Sequence, residues 1–165
     1  MNCNQSNLNP QIRIGHVHLK VSNLDDSLKF YCNVLGFKLK QKISNQAAFI
    51  AAGDYHHHIG LNTWESQGGR PPEQGTTGLY HLAILYPERK DLANALNRLK
   101  THNISLEGAS DHGVSEALYT RDPDNNGVEL YWDRPQRLWP KDEEGNLKMY
   151  TKDLDLSSLI QELNK

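Results

Sequence analysis

Two cysteines in 165 residues, no run approaching the roughly 20 apolar residues of a membrane span, and no block of like charge are the first features of this chain. Cys3 and Cys32 share no CxxC-type spacing, which excludes a disulfide framework and a thiolate zinc site. Eighteen Lys and Arg against twenty Asp and Glu leave a formal charge of −2, with no basic stripe to bind nucleic acid or an anionic membrane surface. Residues 1–11 (MNCNQSNLNPQ) form a polar leader without the basic start or apolar run of a signal peptide, so the chain is expected to be soluble and cytoplasmic, with no nucleic-acid and no membrane partner. Aromatic residues are also few, at 8%, and mean hydropathy is −0.71. The apolar residues are nevertheless clustered rather than diluted, which excludes wholesale disorder and gives one domain's worth of core.

Histidine is what the chain does have: eight, more than its seven tyrosines. In IRIGHVHLKV (12–21), Val17, Leu19 and Val21 fall on one face of a strand, and His16, His18 and Lys20 on the other. Ser22-Asn23 with Asp25 and Asp26 starts a helix whose stripe Leu24, Leu28, Tyr31, Leu35 stops at Gly36. Strands are then expected over 37–43, 47–52 and 56–64. A loop, 65–78, holds four of the twelve glycines and two of the seven prolines. The pattern then repeats: a strand at 79–85, a helical stripe through Leu92, Ala95, Leu96 and Leu99, and three strands at 104–110, 115–122 and 127–132. The first strands carry His16 and His81, 65 residues apart. The predicted architecture is α+β: paired βαβββ modules (12–64 and 77–133) forming a curved mixed sheet around a metal-binding cleft. They make one domain over 12–135, followed by an extension, 136–165, with a short helix carrying an apolar stripe.

If the two modules face each other, parity turns His16, His81 and Glu129 toward a common cavity. Two imidazoles and one carboxylate form the facial set that leaves open positions on a non-haem Fe(II) or Mn(II) ion. Singly, each has an ordinary explanation as a half-buried or solvent-facing strand side chain; three on inward faces of a repeat point to chemistry. In the run His56-His57-His58, parity sends at least one imidazole into the cleft as a base or fourth ligand, with His58 the first candidate, or else the run is a polar strand end.

These residues carry a resemblance. IGHVHLKVSNLDDSLKFYCNVLGFKL and GLYHLAIL with DPDNNGVELYWDRP resemble the two halves of the vicinal oxygen chelate superfamily, which includes glyoxalase I, bleomycin-resistance proteins and extradiol dioxygenases. The segment from His112 through Tyr119 and Asp122-Pro123 to Glu129 is similar to the extradiol signature, most of all to the N-terminal half of the catechol 2,3-dioxygenase-like proteins of Gram-positive bacteria. The resemblance implies metal ligation by His16, His81 and Glu129. It assigns to Tyr119 a hydrogen bond to catecholate or oxygen and to His112 a contact with substrate. It implies a dioxygenase of aromatic compound catabolism acting on a catechol-like diol with O2 and Fe(II), with Mn(II), Zn(II) or Ni(II) as other metals. A homodimer is expected. Alternatives are a glyoxalase-like isomerase or lyase and a non-catalytic binder of the drug-resistance type. The chain departs from the pattern at Asn125, where Gly is usual, at Ser110, and at Ser66, near which the acid/base histidine is expected; a histidine of the 56–58 run would have to substitute.

Overall fold

Strand parity in the computed structural model, which describes residues 8–165, follows the period of two. In β1 (Val17–Lys20), Leu19 is buried while His18 and Lys20 are exposed. Strand β1 pairs in parallel with β4 (Ile59–Asn62), so a crossover must lie between them. It consists of α1 (Leu24–Leu28), β2 (Lys38–Ile43) and β3 (Ala47–Ala51), giving the sheet order β1-β4-β3-β2. The second module repeats this with β5 (His81–Tyr86), α2 (Arg89–Thr101), β6 (Gly108–Asp111), β7 (Ser115–Arg121) and β8 (Gly127–Asp133). Its sheet order, β5-β8-β7-β6-β9, adds a two-residue strand, β9 (Lys152–Asp153), from the C-terminal segment. A short helix, α3 (Leu156–Gln161), follows. The fold class is α+β, with two mixed sheets that share no strand pairing among the described residues.

The expected first helix is only partly regular. The Asn23 side chain caps it, accepting from the Asp25 and Asp26 amides at 3.0 and 3.2 Å. From Lys29 to Val34 it widens to a π-helical turn, which brings the consecutive residues Phe30 and Tyr31 both into the core. Gly36, at φ +93°, ends it, and the Arg98 guanidinium of α2 fills the space a side chain there would take. Arg98 donates to the carbonyls of Val34 (2.6 Å) and Asn33 (3.1 Å), so the second module caps the first module's helix. Tyr31 Oη donates to Asp122 Oδ2 at 2.9 Å, a second tie between the modules. Leu24, Phe30 and Val34 share one apolar core with Leu92, Leu96 and Leu99 of α2, Leu118, Val128 and Leu130 of the second sheet, and Leu159 of α3.

The two modules are thus joined through the sides of their sheets that carry the helices. The opposite faces are open: His16, His18, Ala83 and Leu85 are exposed, and every residue of β2 is exposed. The paired βαβββ modules expected from the repeat are present, each contributing its own mixed sheet. Among the described residues no helix is long and apolar enough to cross a membrane. Of the polar leader expected over 1–11, residues 1–7 lie outside the described residues, Cys3 among them.

Candidate active site on the second sheet

Glu129 sits in the middle of β8, between β5 and β7, where Val128 and Leu130 turn into the core and Glu129 turns the other way. Its direct partner on β7 is Tyr119, which explains the spacing of ten residues: the two positions face each other across a hairpin. That hairpin is built by Asp122, whose Oδ1 accepts from the Asp124 and Asn126 amides at 3.0 and 2.8 Å, while Asn125 takes the left-handed conformation at φ +64°. Asn tolerates that region, so the departure from Gly is accommodated. Gly127 has no such freedom: a side chain there would lie 2.3 Å from the Tyr80 carbonyl and 2.9 Å from His81 Cβ. The Asp-Pro…Gly segment therefore serves as a close seat for His81.

Four side chains then form a hydrogen-bonded line. His81 Nε2 lies 2.9 Å from Glu129 Oε2. Tyr119 Oη lies 3.3 Å from Glu129 Oε1 and 2.7 Å from His112 Nε2. His81, Tyr119 and His112, with Tyr80, Ser110 and Thr151 among others, line a pocket of about 470 Å³. His81 Nδ1 is buried without a partner, so the ring's polar capacity is directed through Nε2 alone. Ligand atoms at right angles on an ion with bonds of about 2.1 Å stand about 3 Å apart. The 2.9 Å between His81 Nε2 and Glu129 Oε2 suits two adjacent positions of such a sphere.

His16 is elsewhere. Its ring lies 4.5 Å from that of His57, on the first sheet. Among the described residues no three His, Cys, Asp or Glu side chains gather as a metal-binding group. One chain thus assembles two of the three expected donors. The strand expected over 56–64 begins only at Ile59, because a turn with Gly53 at φ +62° occupies the preceding residues, and parity does not govern the three histidines. His58 Nδ1 accepts from the Ala52 amide at 3.3 Å and its ring stacks 4.7 Å from Tyr55, apart from the His112–Tyr119–Glu129–His81 line. His56 and His57 approach through their Nδ1 atoms at 2.7 Å. Partial burial, then the neighbouring imidazoles with His16 foremost, push the His57 pKa down. His18 covers Gly60, its ring 2.9 Å from where a Cβ would be, and packs against Phe49 and Trp64. Ser66 Oγ donates to the Val21 carbonyl at 2.9 Å, a structural task.

Burial first, and then the Glu129 charge, push the Tyr119 hydroxyl up to about 12. Burial does the same for Tyr86, also to about 12, and for Tyr31, which Asp122 raises further. An unfolded tyrosine ionises near 10, so above that pH the unfolded chain loses these protons first. Stability is therefore expected to hold below about pH 10 and to fall as pH rises toward 12. Tyrosinate absorbance should show these three ionising only with unfolding; three early titrations would refute it.

Two sheets of βαβββ topology, one bearing an imidazole–carboxylate pair beside a tyrosine, define a class of paired-module chelate proteins. The chain belongs to the Glyoxalase/Bleomycin resistance protein/Dioxygenase superfamily, whose family model matches residues 13–130. It is 44% identical over 158 residues to a catechol-2,3-dioxygenase of Bacillus subtilis, an alignment covering 95% of this chain and 54% of that protein. It is 32% identical over 123 residues to biphenyl-2,3-diol 1,2-dioxygenase 3 of Rhodococcus globerulus, covering 73% of this chain and 63% of that one. The chain thus spans little more than half the length of such relatives. Among solved structures, a glyoxalase/dioxygenase from Nostoc punctiforme matches with a TM-score of 0.63 at 21% identity over 79% of this chain and 99% of that one, a likeness of fold.

Neither Thr151 nor the Tyr150 carbonyl, both beside His112, was legible in the sequence. They reach it through β9, too short to show a period.

Proposed function

We propose that this chain is a metal-dependent dioxygenase that cleaves a catechol-like aromatic diol by extradiol chemistry with O2. The observation that carries the reading is the hydrogen-bonded line His81–Glu129–Tyr119–His112, of which His81, Tyr119 and His112 line one pocket. The dioxygenase names of its relatives support it. His81 and Glu129 would hold the divalent metal, Fe(II) first, with Mn(II), Zn(II) or Ni(II) as other occupants; when bound it would supply a Lewis acid for the diol oxygens and, as Fe(II) or Mn(II), a route for electrons to O2. Tyr119, kept protonated by burial and by Glu129, hydrogen-bonds a substrate oxygen through Oη. His112 holds the Tyr119 hydroxyl in place through Nε2, 2.7 Å from Oη, and faces the substrate side of the pocket. One domain over 12–135 with an extension over 136–165 remains our division of the chain. Residence in the cytoplasm is part of this reading.

Metal content of anaerobically purified protein, followed by a catechol assay on the wild type and His81→Ala, tests the activity. Near-stoichiometric iron and a yellow product that disappears in the variant are expected. Zinc or nickel without product, or no metal after reconstitution, overturns the reading.

The third donor, His16, comes in this reading from the first module of a second copy. The homodimer would cover the faces that one chain leaves open, on which Trp64 and Leu85 are 59% and 53% exposed. A twofold dimer would then contain two equal sites, each built across the interface. His16→Ala and Glu129→Ala, each inactive alone, should regain about a quarter of wild-type activity when randomly mixed, since half the dimers would hold one intact site. No recovery in verified heterodimers refutes assembly across two chains.

A further inference from the structure

The Nδ1 atom of His112 faces two oxygens from the segment that leads into β9. The Tyr150 carbonyl, which can only accept, lies at 3.2 Å, and the Thr151 hydroxyl, which can also donate, lies at 3.2 Å. This segment is fixed in place. Its strand pairs with β6 through Ser110 and Asp111, the Tyr150 amide donates to the His112 carbonyl at 3.3 Å, and the Tyr150 ring fills the space beside Gly113, where a Cβ would come within 2.7 Å.

Tyr119 has one hydroxyl proton and two acceptors in reach, His112 Nε2 at 2.7 Å and Glu129 Oε1 at 3.3 Å. Which receives it depends on the tautomer of His112. If the Tyr150 carbonyl alone governed Nδ1, the imidazole proton would sit on Nδ1, Nε2 would be bare, and Tyr119 would turn its proton to His112. If Thr151 donates to Nδ1, the imidazole proton sits on Nε2 and is given to Tyr119 Oη, and the Tyr119 proton is directed to Glu129. The second arrangement ends on a carboxylate, and hydrogen bonds to an ionised acceptor are roughly twice as strong as neutral ones.

We propose that Thr151 is a positioning residue that selects the Nε2-protonated tautomer of neutral His112, and so aims the Tyr119 proton at Glu129. Glu129 divides its oxygens accordingly, Oε2 to His81 and Oε1 to Tyr119. The consequence for turnover rests on the dioxygenase reading; the tautomer does not.

The test is a long-range proton–nitrogen NMR correlation of His112 in 15N-labelled protein at a pH where imidazoles are neutral. It compares wild type, Thr151→Val and Thr151→Ser. Nε2 should carry the proton in the wild type and in Thr151→Ser, which keeps the hydroxyl. In Thr151→Val the proton should move to Nδ1, with the melting temperature unchanged because residue 151 is exposed. A proton on Nδ1 in the wild type, or the same tautomer in all three proteins, overturns the proposal whether or not the chain cleaves diols. If it does cleave them, Thr151→Val should lower kcat roughly tenfold or more with KM unchanged, and Thr151→Ser should restore it.

Discussion

On the dioxygenase reading proposed above, Glu129→Gln is expected to weaken divalent-metal binding by more than about 100-fold and to remove ring cleavage, with the fold retained. Removing groups that merely orient a ligand costs about 10–100-fold, so removing a ligand's charge should exceed that. Glutamine keeps the shape and can still accept from Tyr119, and the side chain is half-buried rather than in the core, so the loss would be chemical. A second readout follows from electrostatics. The Tyr119 hydroxyl, held at about 12, should come down when the Glu129 charge is removed, though not to its ordinary value, because burial is the larger cause. Metal titration and tyrosinate absorbance of the variant measure the two effects. Metal binding within about tenfold of the wild type would remove Glu129 from the ligand set.

Much of this site was legible in the sequence because a pleated strand imposes a period of two. Once Val128 and Leu130 are assigned to the core, Glu129 must face the other way, and the same holds for His81 before Leu82. Tyr119 opposite Glu129 follows from the length of the hairpin. Parity reports which face a side chain takes, however, and not which sheet that face meets. The arrangement of the modules is set by contacts between residues far apart in the chain, such as Tyr31 with Asp122 and Arg98 with Val34, which unite the helix-bearing sides and leave His16 on a separate open face. The three consecutive histidines escape parity for a different reason. A turn at Gly53 shortens their strand, and parity applies only where the backbone is extended. Nor does periodicity reach the segment beside His112, where two residues of β9 are enough to place the Tyr150 carbonyl and Thr151 hydroxyl.

Arg89→Ala is expected to cost about 3 kcal/mol of stability, a fall in melting temperature of roughly 6–12 °C for a chain of this size. Glu116 on β7 is 3% exposed, and its charge is held by two guanidinium groups: Arg89 Nε at 2.7 Å and Arg134 Nη2 at 2.8 Å. Arg89 also reaches Glu162 at 2.7 Å and the Ser158 carbonyl and hydroxyl at 3.3 Å, so it ties the C-terminal helix to the second sheet. Without it the buried carboxylate keeps only Arg134, which must also serve Asp111 at 2.9 Å. Removing one partner of a buried pair typically costs about 3–5 kcal/mol, and the surviving arginine places this case at the lower end. Lysine at 89 should recover part of the loss, since it restores the charge but not the fork. The pH dependence should change as well. Hydrogen bonds from Lys165 and Arg89 pull the Glu162 carboxyl below its usual range. Its contribution is therefore present above the unfolded carboxyl value and lost as pH falls through the folded one, and that acid sensitivity should shrink in Arg89→Ala. Calorimetric melting across pH 3–7 measures both effects. A variant melting within about 2 °C of the wild type would show that Arg134 alone holds Glu116.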